Sequence, residues 1–549
     1  MADMSFDVVI VGGGNKASVA AMYLTKYGKM SVGLFEDRHE ACGGWCAEEA
    51  PAPGFIAHQC SHLHADTLNY HRPLWDDFPE WKDYGADYVD RKVNYGFVDK
   101  VDQRWCGGYN LNLDPEQQKT YELFARFSQK DADTWMWITD KMNKYWEPAF
   151  LKWVFNPAVP YGQKDAMDNL IANPDAGIDP LWLTYTPVQI YHELFEDPFV
   201  QATFVRAMQS GGIEPDGAGQ GLTALLAFCN WRRAGTAKGG NHQLAHATQR
   251  VIAENGGKFF YRSPVAKILI ENGRAKGIKL ENGTEIEAKK AVLSGVDPYQ
   301  FVFNLVGPEH FDPLDVKRVK ALSMDWITIG WYTWALHEQP KFYAEKWGED
   351  IDHCMWLCSG TKDIEDVARE SYQRRMNEWP DPENFQMIIS NHSNAEPDCG
   401  YAPLGKACVI TEQFVNPAWR YTEAEWKVIE KRFADEQIRH WQKYCPNMTW
   451  DNVIGYVPIT PFYTSRHARN WGRSGNWNVL DMIPSQVGRN RPTPNLASGR
   501  IPGVKGLYAT GAGWHPFGWG QSFQGYWTYK NFAQDFGLPK PWEEKGREF

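Results

Sequence analysis

The sequence predicts an α/β fold: a dinucleotide-binding domain delivered in three separate segments, with an α+β domain inserted between them. Three stretches carry that reading. Residues 6–18, FDVVIVGGGNKAS, run as an apolar strand into a glycine turn, and the helix-compatible VAAMYLTKYG follows. Residues 238–298 read as a glycine turn, an amphipathic helix and short strands closed by LSGVDP. Residues 504–537 read as a strand (GLYATG), a second glycine-rich turn and a helix.

In the first segment Gly12 allows the tight turn, Gly13 continues it, and Gly14 lets the backbone approach a pyrophosphate. Amides at the helix N-terminus then face the negative charge. VGLFEDR is the second strand, and Glu36 at its end is placed to accept hydrogen bonds from a ribose diol. The third glycine position is taken by Ala17, which still permits close helix–strand packing, and Asn15-Lys16 is an unusual pair inside such a loop.

In the second segment KGGNHQLAHATQRVIAENGG predicts a helix that stops at Gly256-Gly257, and the strands after it turn at Asn272-Gly273 and Asn282-Gly283. Asp297-Pro298 reads as a carboxylate capping the next helix. Between the nucleotide-binding pieces lie residues 66–235 and 306–495, which hold most of the tryptophans. The expected domains are therefore 1–65, 236–305 and 496–549 for the nucleotide, and 66–235 with 306–495 for the substrate. EAEWKVIEKRFADEQIRHWQKY (423–444) has apolar residues at helical spacing, Trp426, Ile429, Phe433 and Ile438, and a polar face of both signs. It reads as an amphipathic surface helix.

Composition narrows the class. The chain has 549 residues and a net charge of -11, which argues against a nucleic-acid partner. Ten cysteines are scattered without zinc-ribbon spacing and read as thiols in a reducing compartment. No basic and apolar leader precedes the first strand, and no apolar run reaches the ~18 residues that span a bilayer. A cytoplasmic protein with at most peripheral membrane contact is expected. The 26 Trp, 25 Tyr and 28 Phe suit both a large aromatic core and an apolar pocket for an unsaturated or ring-bearing substrate.

The three segments together resemble the FAD-dependent, phytoene-desaturase-like branch of the amine-oxidase superfamily, which includes carotenoid desaturases and isomerases and retinol saturases. The matching stretches are VVIVGGGNKAS, LFEDRHEACGGW, PGFIAHQCS, the block from Gly239 to Pro298, and GLYATGAGWHPFGWGQSFQGY. The resemblance makes the split domain a Rossmann-like FAD-binding domain. It implies FAD contacts at Gly12, Gly13, Gly14, Ala17, Ser18, Glu36, Asp37, Arg38, Gly43, Gly44 and Trp45. It adds Gln59, Cys60 and Ser61 near the isoalloxazine and Val265, whose backbone would hold the adenine. Gly295, Gly511, Ala512, Gly513, Gly520, Gln521 and Ser522 complete the set. The last motif departs from the family pattern at Trp514, Phe517 and Trp519.

The resemblance implies hydride removal from a hydrophobic unsaturated substrate of terpenoid type, by desaturation or by water-derived allylic hydroxylation as in limonene dehydrogenases. An electron-transfer partner of ferredoxin or quinone type, and a homo- or hetero-oligomer, are expected with it. His58, His62 and His64 are candidates to take a proton or activate water, with simple structural hydrogen bonding as the alternative. Their spacing fits no metal motif, and none is expected. Two other readings stay open: a flavin amine oxidase with Trp514 or Trp519 in an aromatic cage, and a non-catalytic subunit of a heteromer.

Overall fold

The computed structural model describes residues 4–59, 67–383, 386–519 and 521–549, with side chains from residue 71 in the helix that begins at Thr67. Two seven-stranded sheets organise it.

The first sheet runs, in spatial order, Val265–Glu271, Arg274–Leu280, Glu285–Ser294, Met4–Val11, Val32–Phe35 and Lys258–Phe260, with Leu507–Ala509 added beside Glu285–Ser294. Met4–Val11 pairs in parallel with Glu285–Ser294 on one side and with Val32–Phe35 on the other. Its apolar residues Val8 to Val11 are buried on both faces, which is why that stretch reads as a continuous hydrophobic run. The first two strands form an antiparallel hairpin whose turn residues, Asn272 and Gly273, both have positive φ (49° and 68°). Such a turn matches the twist of the strands it joins.

Helix Asn15–Lys26 returns along the sheet, and helix Phe523–Phe536 crosses it at close range. A Cβ on Gly525 would lie 2.3 Å from the Lys16 carbonyl oxygen and 2.7 Å from Val19 Cβ, so glycine is required there. The last segment of the chain thereby clamps the helix of the first. The helix expected after Lys238 spans His242–Glu254 and buries Leu244, Ala247, Thr248 and Val251.

The second sheet runs Val453–Ile459, Ile329–Leu336, Ala407–Phe414, Met387–Asn391, Cys354–Gly360, Val93–Asp99 and Trp105–Tyr109. It is antiparallel except between Cys354–Gly360 and Val93–Asp99. Both long inserted stretches contribute strands to it. Successive side chains alternate between its faces. Tyr332, Trp334 and Leu336 turn to one side, into the core covered by helix Glu423–Gln442. Ile329 and Trp331 turn to the other, towards the first domain.

Helix Glu423–Gln442 opens on a reciprocal Thr422–Glu425 capping box and buries Trp426, Ile429, Phe433 and Ile438 at the spacing the sequence shows. Phe433 fills the space left by Gly330, where a Cβ would come within 2.7 Å of its ring. Among the described residues no disulfide forms, and no helix is long and apolar enough to cross a membrane.

Phe433→Ala should therefore open a cavity between helix and sheet. The expected cost is about 3–5 kcal/mol, read as an earlier unfolding transition in denaturant with the second domain failing first.

Candidate active site

The glycine turn is built around one carboxylate. Gly12 has φ of +81° and its amide donates to Phe35 O at 2.9 Å, fixing the turn against the second strand. The Gly13 amide donates to Glu36 Oε2 at 2.7 Å, and the Arg38 amide donates to Oε1 at 2.9 Å. Burial pushes the Glu36 carboxyl up from its ordinary value, and those two amides work against that rise. Each oxygen keeps a second lone pair for a ligand hydroxyl.

Gly14 stands at the N-terminus of helix Asn15–Lys26, which has no side-chain cap and no acidic residue in its first turn. A Cβ on Gly14 or on Gly43 would meet no protein atom within 4 Å. Helix amides and a glycine cradle therefore face open space suited to a phosphate. Lys16, only 7% exposed, also lines that space. Asn15 Nδ2 and Trp45 Nε1 both donate to Gln521 Oε1, at 2.9 and 2.8 Å, and tie the first turn to the last motif.

The space continues as one cavity of about 550 Å³ that crosses between the two domains. Glu36, Asp37, Arg38, Val265, Glu281 and Arg469 line it on the side of the second strand of the first sheet. Six tryptophans, Trp231, Trp331, Trp356, Trp471, Trp477 and Trp519, line its other part. Their rings gather in two clusters, measured between ring centroids. Trp231 lies 4.6 Å from Trp356 and 6.4 Å from Trp519, while Trp477 lies 4.9 Å from Trp331 and 4.8 Å from Trp471.

Among these indoles sits a carboxyl, Glu412, 3% exposed. It lies directly across from Trp331 on one neighbouring strand and from Ile388 on the other, so the alternation of the second sheet aims it at the cavity. Burial pushes it up to about 8. Asp297 and His467 also line the cavity. Asp297 caps Tyr299 and Gln300, as expected, and burial raises it to about 6. His467 stacks on Trp471 at 5.6 Å, and burial lowers it to about 4.

The expected residues fall into four groups. Gly12, Gly14, Ala17, Glu36, Asp37, Arg38, Gly43, Gly44, Val265, Gly295, Gly511, Ala512, Gly513 and Gln521 line the cavity. Gly13, Ser18 and Trp45 stand behind that lining; Ser18 Oγ donates to Gly13 O at 3.1 Å. Gln59 and Ser522 are outside it, Gln59 accepting from Tyr463 Oη at 3.4 Å. Cys60, Ser61, His62, His64 and Gly520 lie outside the described residues.

His58, the one described histidine of the expected acid–base set, does not line the cavity. Its strand, Ile56–His58, buries it completely against Tyr401, with Nε2 3.0 Å from Tyr401 Oη, and against the His392 ring. Trp514 packs on Phe301 and His515 bonds Trp153 O at 3.2 Å, both away from the cavity; Trp519 alone of the last motif's large aromatics reaches it. Sequence reasoning missed Glu412. The strand ACVITEQF looks like any buried strand until its partners are known.

A dinucleotide domain with a parallel central ladder that shares one cavity with an aromatic-walled second domain has the architecture of a two-domain nucleotide-dependent oxidoreductase. Short stretches of the chain are similar in sequence to carotenoid desaturases, and its fold as a whole is shared with amine oxidases. The description "NAD(P)-binding Rossmann-like domain" matches residues 10–81. The mouse "Pyridine nucleotide-disulfide oxidoreductase domain-containing protein 2" is 25% identical, over 93% of this chain and 90% of its own. A hydroxyneurosporene desaturase of Cereibacter sphaeroides is 31% identical over 24% of this chain and 27% of its own. Among solved structures, an oxidoreductase from Methanosarcina mazei shares the fold at TM-score 0.58 and 14% identity, covering 96% of this chain and all of that one. A putrescine oxidase shares it at TM-score 0.56 and 13% identity, over 97% and 99%.

Glu36→Ala strips the acceptor from the Gly13 and Arg38 amides. A loss of about 1–3 kcal/mol for the unpaired donors is expected, seen as a lower melting temperature without any added nucleotide.

Proposed function

We propose that this chain binds FAD along the glycine cradle and removes hydride from a hydrophobic unsaturated substrate held among the tryptophans. The observation that carries this is the single cavity joining the two. The nucleotide end fits FAD in its donors: helix amides open at Gly14 for pyrophosphate, Glu36 lone pairs for a ribose diol, and the Val265 backbone beside them. FAD bound there would supply the hydride acceptor.

The chain's own residues do the rest. The indoles of Trp231, Trp356, Trp331 and Trp477 wall the substrate space and exclude water from it. A developing allylic cation would gain roughly 0.5–2 kcal/mol from each. Ile327 and Ile329 add apolar wall. The gathering of rigid indole rings favours a small cyclic terpenoid over a long polyene, so the reading resembles limonene dehydrogenase chemistry. Loss of a proton gives desaturation; capture by water gives an allylic alcohol. Electrons would leave to a ferredoxin- or quinone-type carrier, with the protein in the cytoplasm and any membrane contact peripheral.

A second reading, an amine oxidase, is favoured by one observation: a carboxyl inside an aromatic box suits an ammonium ion. Against it, burial keeps Glu412 neutral below about pH 8, when an amine is mostly charged.

Two measurements test this. Gly14→Val keeps an allowed backbone (φ -56°, ψ 158°) while filling the cradle, so it should fold normally and copurify with little or no flavin. The anaerobic absorbance of the flavin-loaded wild type should bleach on adding limonene and stay unchanged with cyclohexylamine. Bleaching by the amine, with ammonia released, would select the second reading; no flavin after reconstitution would sink both.

A further inference from the structure

Behind the tryptophan-lined cavity lies a second, much smaller chamber of about 20 Å³. That is room for one water. It sits on the same face of the second sheet, under helices Pro198–Ser210 and Ile364–Arg375. Glu412 and Ser210 line both spaces and form the wall between them. On the far side of the small chamber is Glu370. Its carboxylate accepts from the Gln386 amide at 3.3 Å, from the Gln386 side chain, and from Gln413 Nε2 at 3.4 Å. Its side chain is 19% exposed, so it reaches both the chamber and solvent.

We infer that Glu412 takes the proton that the substrate loses and passes it through the small chamber to Glu370, which releases it to solvent. The inference rests on the reading of the large cavity as the reaction site. As hydride leaves one substrate carbon for the flavin, the neighbouring C–H bond breaks and its electron pair becomes the new C=C bond. The proton goes to the Glu412 carboxylate. In the hydroxylating alternative the water oxygen bonds to the cationic carbon and its O–H proton goes to the same oxygen. Either way two electrons leave with the hydride and one proton leaves through Glu412.

The surroundings suit a relay. Besides the two carboxyls, three titratable groups line the small chamber. Arg206, on helix Pro198–Ser210, lies 4.0 Å from Glu370 Oε2 and works against the rise that burial imposes on that carboxyl, which stands at about 7. Arg374, on helix Ile364–Arg375, is engaged by Glu214 and the Trp326 carbonyl. Cys358, on strand Cys354–Gly360, is pushed up to about 12 by burial and stays a neutral thiol. Glu412 and Glu370 thus titrate within about one unit of each other near neutral pH, so transfer between them meets little thermodynamic resistance. Ser210 Oγ is committed to Ala207 O at 2.5 Å, which leaves the carboxyl as the group able to hand over a proton at the shared wall.

The test uses the flavin-loaded protein and its E412Q and E370Q variants. Infrared difference spectra read the protonated-carboxyl C=O stretch and need no substrate. Wild type should show at pH 6 a component of that band that disappears with a midpoint near 8, distinct from the Glu370 component near 7; E412Q should lack the component near 8, and in E370Q its exchange in D2O should slow about tenfold or more. With limonene, the bleaching rate of wild type should rise with pH through the same midpoint. E412Q should bleach about a hundredfold slower or worse with no pH dependence, keeping its flavin and its melting temperature. A wild-type rate in E412Q, an ionised Glu412 at pH 6, or unaltered exchange in E370Q overturns the relay. Wild type that carries flavin, shows the infrared titration and ignores limonene overturns the substrate reading instead.

Discussion

Everything in this molecule hangs on the strand Glu285–Ser294. It pairs in parallel with Met4–Val11 on one edge. Its other edge takes the hairpin strand Arg274–Leu280 along one half and Leu507–Ala509 along the other. Stretches from near the start, middle and end of the chain therefore meet on one ladder. Long-range closure of this kind costs chain entropy that only burial returns. The returns are visible: Val292, Leu293, Ala509 and Trp527 are fully or almost fully removed from water. Without that ladder the glycine turn, the Gly295 bend and the last glycine-rich turn would not share a cavity.

The second sheet depends on the first in a different way. Its rear face is completed by its own helix, Glu423–Gln442. Its front face is finished only by the nucleotide domain and by the helices inserted between strands. Trp331 and Glu412 sit on that front face because side chains alternate at period two. A one-residue slip in register would send both to the rear, among Tyr332 and Trp334. The chamber is thus a consequence of strand register, and the full ladder from Ile329↔Phe414 to Leu336↔Ala407 is what secures it.

Much of the nucleotide end was legible in the sequence, because its signals are local. Gly12, Gly14, Glu36 and the Asn272-Gly273 turn act within a few residues of themselves or through one strand–helix unit. The opposite end was legible only as an excess of tryptophan. Which of those rings gather depends on contacts between residues more than a hundred positions apart, such as Trp231 with Trp356 and Trp231 with Trp519. Periodicity carries nothing about such pairs. The histidine-rich stretch 58–71 drew attention for its residue types, yet His58 is spent in a buried stack with Tyr401 and His392. Glu412 gave no signal at all, since one acidic residue in an apolar strand is as easily read as an edge or an error of boundaries.

That same rarity is the argument for Glu412. An acid whose folded value is raised is neutral in both folded and unfolded chains at low pH. As pH climbs past the ordinary carboxylate value the unfolded chain gives up its proton and the folded one does not. Stability then falls steadily until the folded group ionises near 8, a loss on the order of a few kcal/mol. Glutamine or an aliphatic side chain at this position would avoid it. A carboxyl kept at such cost among six indoles, with a water-sized chamber and a second raised carboxyl behind it, is poorly explained by packing. Groups held away from their ordinary titration range in a cleft are the ones chemistry uses. The geometry here adds what that generalisation lacks: Glu412 fronts the large cavity on one side and the water-sized chamber on the other.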